Sequence, residues 1–227
     1  AVQKWLEEAS DYTRLEISIE AAINAAIVRG PLPGNGLDKA AERNGLIMAS
    51  NLVMEMINRE QDAAGEPPAE VVEAVNFNDP GQTVIAGSKA AVDKACEVLK
   101  ANGAKRALPL AVSAPFHSSL MKPAADKLRE KLAGLSLAAP QIPVINNIDV
   151  SVETDPDRIR DALFRQAFGP VRWVECVQAI KARGVSTLVE CGPGKVLAGM
   201  VKRIDADMTG LPLFDPASLA EVKGALA

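Results

Sequence analysis

The sequence predicts an α/β protein, and three patterns predict it. After residue 114, short apolar runs alternate with segments of helical period, which points to a largely parallel sheet with helices against it. Before that, VVEAVNF (71–77) and QTVIAG (82–87) read as strands joined by the turn NDPG (78–81). The helix boundaries are marked as well, with Asp155 before Pro156 at a start and Gly103 at a stop.

The elements follow in order. Residues 1–30 are predicted helical, because Trp5, Leu6 and Ala9 and then Ile17, Ala21, Ala25 and Val28 keep helical spacing. Gly30, Pro31 and Pro33 end that pattern, and PLPGNG (31–36) is a loop. A short helix is expected over 37–44. An apolar run from Leu46 to Leu52 follows, then a helix from Met54 to Ala64 that GEPP (65–68) breaks. After the strands 71–77 and 82–87, Ala90 to Asn102 carries Val92, Ala95, Cys96 and Leu99 on one helical face. ALPLAVS (107–113) reads as a third strand. With 46–64 supplying a first strand and helix, the order is β-α-β-β-α-β, the ferredoxin-like order.

The second half is predicted to hold a helix over about 119–133 and a buried strand at QIPVINNID (141–149). A helix from Pro156 to about Phe168 and another over 173–183 come next. STLVECG (186–192) reads as a buried strand and 195–204 as a helix.

Composition narrows the function. The 227 residues carry 25 basic and 29 acidic side chains, a net charge of −4, so no basic surplus exists to neutralise phosphates. Aromatic residues are 4%, which also disfavours base stacking; nucleic acid is not an expected partner. No run of 18 apolar residues occurs, so no membrane span is expected. Three cysteines, at 96, 176 and 191, form no CxxC pair, and a reducing cytoplasm fits them best. His117 is the single histidine, so one chain cannot build a site from two or three histidines, and no metal or cofactor is expected. Any imidazole base must be His117.

Three motif readings fail. GPGKVL lacks the first glycine and the Ser or Thr of a phosphate loop, since Val189 and Val196 stand there. GNGLDK (34–39) has Lys39 where a dinucleotide turn has its third glycine. No serine has glycine two residues away on both sides, so the GxSxG nucleophile elbow is missing.

Four segments carry a resemblance: VNFNDPGQTVIAG (75–87), KRALPLAVSAPFHSSLMKPA (105–124), PVINNID (143–149) with RQAFGPVRW (165–173), and VECGPGKVLAGMVKR (189–203). In this order and spacing they resemble the malonyl-CoA:acyl-carrier-protein transacylase family of fatty-acid synthesis, over about residues 70–227. The resemblance implies a partly parallel α/β-hydrolase-like core with an inserted ferredoxin-like subdomain. The chain would then divide into an unmatched helical segment (1–44), the ferredoxin-like subdomain (45–113) and the remainder of the core (114–227). It implies ping-pong transfer of a malonyl group from CoA, through a serine ester, to the phosphopantetheine thiol of acyl carrier protein.

The resemblance also assigns residues. His117, in SxPFH, matches the catalytic base that takes the serine proton and returns one to the CoA thiol. Gln166 matches the residue whose backbone carbonyl orients that imidazole. Asn78 matches an active-site asparagine, and equally reads as the start of the NDPG turn. Phe116 matches a position tied to acyl selectivity, and equally reads as core.

The family's GQG-type oxyanion loop, its GHSLGE elbow and the arginine that pairs with the malonyl carboxylate have no match here. Arg43 and Arg59 sit in no corresponding motif. A non-catalytic derivative, acting as a scaffold or binding module, is the alternative reading; a thiol enzyme using Cys191 is a third. A monomer is expected unless a second chain covers the missing part of the core.

Overall fold

A computed structural model describes residues 25–29, as backbone, and 71–226. Four strands form the first unit: β1 (Ala25–Arg29), β2 (Val72–Asp79), β3 (Gln82–Gly87) and β4 (Arg106–Pro109). They lie side by side in the order β2-β3-β1-β4, with every neighbouring pair antiparallel. The NDPG turn joins β2 to β3 as predicted; Asp79 Oδ1 accepts from the Gly81 amide at 2.9 Å and fixes it.

Helix α1 (Lys89–Ala101) connects β3 to β4 and ends where Gly103 adopts a φ of 98°. Its predicted apolar face packs Val92, Ala95 and Leu99 with Val72 and Ile85 in one core. Val75, Val84 and Ala86 form a second cluster with Leu110 and Val112 against it. The sheet is therefore apolar on both sides at β3, whose six residues are all buried.

The helix predicted over 1–30 is corrected at its end. Residues 25–29 are a strand, placed centrally between β3 and β4. AAIVR satisfies a helical stripe by spacing, but Ile27 and Val28 are β-branched, and two partner strands supply the ladder that decides the conformation. Among the described residues, 25–29 is the first strand of this sheet. The expectations for 1–24, 37–44, 46–52 and 54–64 lie outside the described residues.

The second unit holds a 3₁₀ turn at Ser119–Met121 and helices α2 (Lys122–Ala133), α3 (Pro156–Gln166), α4 (Trp173–Lys181), α5 (Val196–Ile204) and α6 (Pro216–Ala225). Strands β5 (Thr187–Cys191) and β6 (Thr209–Leu213) pair in parallel, as the alternation predicts. Val177, Val201 and Met208 form the centre of this unit, packed by Trp173 and Leu188. Asp155 caps α3 by accepting from the Asp157 and Arg158 amides.

Two expectations change here. The segment 141–149 is not a buried strand: 141–144 are exposed, and only Ile145 makes an isolated bridge, to Val152. Pro140 and Pro143 remove ladder donors. Asn146 then closes a turn, accepting from the Asp149 amide and donating to the Ser151 carbonyl. Strand β5 forms where predicted but is half-buried, not buried.

Candidate active site

His117 stands on the loop between β4 and the 3₁₀ turn, half-buried, with a φ of 66°. That is left-handed backbone, an uncommon conformation for a residue with a side chain, and one that the surroundings must hold in place. The loop is tied from within. Ser118 is fully buried, its hydroxyl donates to the Pro115 carbonyl at 2.6 Å, and its amide donates to the same oxygen at 3.2 Å.

The imidazole is tied from across the fold. Nδ1 lies 2.9 Å from the backbone oxygen of Gln166. Gln166 is the last residue of α3, where carbonyls run out of helical donors. The residue four positions on is Pro170, which has no N–H to give, so this carbonyl is left for the histidine. A carbonyl can only accept, so Nδ1 carries the hydrogen, and in the neutral ring Nε2 keeps its lone pair. That is the tautomer a general base requires.

The peptide bearing Gln166 is itself restrained. Its side-chain amide donates to the carbonyls of Gly169 (3.2 Å) and Pro170 (3.3 Å). The neighbouring Arg165 makes a two-pronged contact with Asp149, 2.7 Å on each prong, and a further one with Asp161 at 2.6 Å. These hydrogen bonds push the Arg165 pKa further up and hold the Asp149 carboxyl below its ordinary range.

Of the four residues singled out in the sequence, the structure brings His117 and Gln166 into contact. Phe116 directly precedes the histidine and is 48% exposed. Asn78 is half-buried near the end of β2, inside a register shift between Phe77 and Asp79. No hydrogen bond joins Asn78 to His117. Sequence reasoning missed Ser118 and Glu73, whose Oε2 accepts from the Ser119 amide at 2.8 Å. Nothing in the sequence links positions 73 and 119.

GPGK (192–195) precedes α5 and serves the fold: the Gly192 amide donates to the Leu213 carbonyl, and Glu190 accepts from the Ala198 amide in the first turn of α5. Cys191 is exposed at the end of β5. Among the described residues no group of three or more His, Cys, Asp or Glu side chains could hold a metal, and no helix is long and apolar enough to cross a membrane.

The sequence pattern of the acyl transferase domain matches residues 16–211. The chain belongs to the acyl transferase domain family. The match begins well before residue 70, so it takes in β1, which the resemblance drawn from motifs did not reach. This acyl transferase chain is 55% identical over 161 residues to the malonyl CoA-acyl carrier protein transacylase of Salmonella typhimurium, covering 71% of the chain and 51% of that protein. The Bacillus subtilis transacylase is 44% identical over 149 residues, covering 66% of the chain and 47% of that protein. The chain thus spans about half the length of the curated relatives it matches.

Solved structures agree. An acyl-carrier-protein S-malonyltransferase from Burkholderia pseudomallei superposes with a TM-score of 0.73 at 54% identity, over 89% of this chain and 58% of that one. A malonyl-transacylase in complex with its type II PKS acyl-carrier protein gives 0.74 at 41% identity, over 90% of this chain and 59% of that one.

Proposed function

We propose that this chain carries the general-base half of a malonyl transferase, moving a malonyl group from CoA to the phosphopantetheine thiol of acyl carrier protein in the cytoplasm. The observation that carries the reading is the His117 Nδ1 to Gln166 carbonyl contact, at 2.9 Å, between the two segments SAPFH and RQAFGP that the resemblance assigns to the site. Nε2 accepts the proton of an attacking serine and later gives it to the departing CoA thiol. A neutral carbonyl is a sufficient partner for a thioester, whose thiolate leaves readily. Asn78 and Phe116 line the acyl site in this reading. The malonyl-transacylase solved with its carrier protein supports the choice of partner.

The strand order β2-β3-β1-β4 with α1 as a connection supports a ferredoxin-like subdomain reaching to about residue 113, with 25–29 belonging to it. The parallel β5–β6 pair and its helices support an α/β-hydrolase-like remainder over 114–227. The protein acts as a monomer in this reading unless a second chain covers the missing part of the core.

No GxSxG elbow occurs in the 227 residues, so transfer needs an elbow serine brought to His117. The test is a chimera that joins the N-terminal half of the Salmonella relative to residues 16–227. Intact mass spectrometry should show one malonyl adduct and transfer to holo acyl carrier protein, both lost in His117→Ala. The chain alone should take up no malonyl group. A folded chimera that transfers equally well with and without His117 overturns the reading.

A further inference from the structure

His117 is held from two directions, and the two holds belong to one circuit. From Gln166 the circuit runs through its side-chain amide to the Gly169 and Pro170 carbonyls. The next residue, Val171, is stitched to β2: its amide donates to the Val75 carbonyl at 2.8 Å, and its carbonyl accepts from the Phe77 amide at 2.9 Å. Two residues back along the same strand is Glu73, whose carboxylate accepts from the Ser119 amide at 2.8 Å. Ser119 is two residues beyond His117, across the buried Ser118. The imidazole contact to Gln166 closes the ring.

Strand β2 therefore fixes Ser119, at one end of the histidine loop, relative to the segment that carries Gln166. Gly169 makes the passage possible, since a Cβ there would lie 2.8 Å from the Arg165 carbonyl and 2.3 Å from Ile148 Cδ1. Every other step of the ring is backbone or His117 itself. Glu73 and the Gln166 amide are its only side-chain links apart from the imidazole.

We propose that Glu73 and the side chain of Gln166 are positioning residues that close this ring and thereby hold His117 in its left-handed backbone with Nδ1 on the Gln166 carbonyl. Neither touches a reacting atom. Their catalytic consequence rests on the proposed transferase reading, but the positioning itself does not, because it can be read without substrate.

The single histidine makes the test direct. In ¹⁵N-labelled 227-residue chain, well above the ordinary histidine pKa, the imidazole nitrogen shifts give the ratio of Nδ1–H to Nε2–H tautomers. The wild-type chain should be predominantly Nδ1–H. Glu73→Ala and Gln166→Met should each lower that ratio by about threefold to tenfold, the equivalent of one net hydrogen bond. Glu73→Gln, which keeps an acceptor oxygen, should restore it. The double variant should lose less than the product of the single losses, because a ring opens at its first cut. Where a variant does not fold, amide exchange in the wild-type chain decides: the Ser119 amide should be protected to the same order as Val171. A predominantly Nε2–H wild type, folded Glu73→Ala and Gln166→Met with unchanged ratios, or a Ser119 amide exchanging like a free one would overturn the proposal. If the ratios shift as expected while the chimera transfers nothing, the positioning stands and only the transferase reading falls.

Discussion

Arg203 Nε donates to Asp79 Oδ2 at 2.8 Å, joining α5 to the end of β2 across 124 residues of sequence. The two sides are unequal. The Arg203 side chain is 55% exposed and that of Asp79 only 8%. Asp79 also holds the turn into β3 through its other oxygen. Removing the arginine leaves a buried carboxylate oxygen without its partner, whereas removing the aspartate frees a cation to water and an amide from its cap. We expect Arg203→Ala to cost about 1–3 kcal/mol, well above the norm for an exposed side chain. Urea unfolding checks it; a change below about 0.5 kcal/mol counts against the pair.

How much of this was legible depends on how local each signal was. Helix α3 was readable because Asp155 and Pro156 mark its start, and β3 because QTVIAG follows a turn sequence. Strand β1 was not, since AAIVR fits a helix by period and becomes a strand only when β3 and β4 flank it. No element is predicted beyond residue 204. TGLPL, with Gly210 and Pro212, makes a poor strand by composition, yet it pairs in parallel with β5 as β6. Within the site, His117 stood out as the single histidine in a distinctive motif. The Gln166 carbonyl could be anticipated from Pro170 four residues on. Glu73 could not, because its role exists only once β2 lies beside the histidine loop.

The cysteines should separate by reactivity. Burial pushes the Cys176 thiol up to about 11 despite the nearby Arg172, and its sulfur sits 3.2 Å from Asn147 Oδ1. Burial raises Cys96 as well, whereas Cys191 is exposed. At about pH 8 roughly a thousandth of Cys176 is thiolate, and it is also screened from reagent. A maleimide titration of the native chain should label Cys191 quickly and the other two only on denaturation. Equal labelling of all three under native conditions contradicts the burial described.

Acid should weaken the anchor beneath Gln166. The Arg165 guanidinium holds the Asp149 carboxyl below its ordinary range through two hydrogen bonds. A depressed pKa stabilises the fold fully above the unfolded value, about 3.9, and that contribution is lost as pH falls through the lower folded value. Both side chains are about one-third exposed, so solvent screening limits the pair to about 1 kcal/mol. Asp149→Asn should lower stability by that amount near neutral pH. The gap should close once pH drops below the folded value of Asp149. Thermal melts of both chains across the acid range test this, and a gap that widens on acidification would contradict the sign.

Two glycines should respond oppositely to alanine. Gly87 ends β3 opposite Val72, and a Cβ there would stand 1.8 Å from the Val71 carbonyl oxygen. Backbone cannot yield as a flexible side chain does, so the strand must shift, and the Ser88 amide that donates to that same carbonyl at 2.8 Å shifts with it. Overpacking of this kind costs roughly 1–3 kcal/mol or more. Gly199 lies inside α5, exposed, and a Cβ there meets nothing within 4 Å. Its helical backbone gains from a residue with fewer unfolded conformations, so Gly199→Ala should stabilise by about 1 kcal/mol. Thermal melts of the two variants beside the parent chain should bracket it, Gly87→Ala below and Gly199→Ala above. A Gly87→Ala chain that melts with the parent would mean that β3 does not approach Val71 as closely as described.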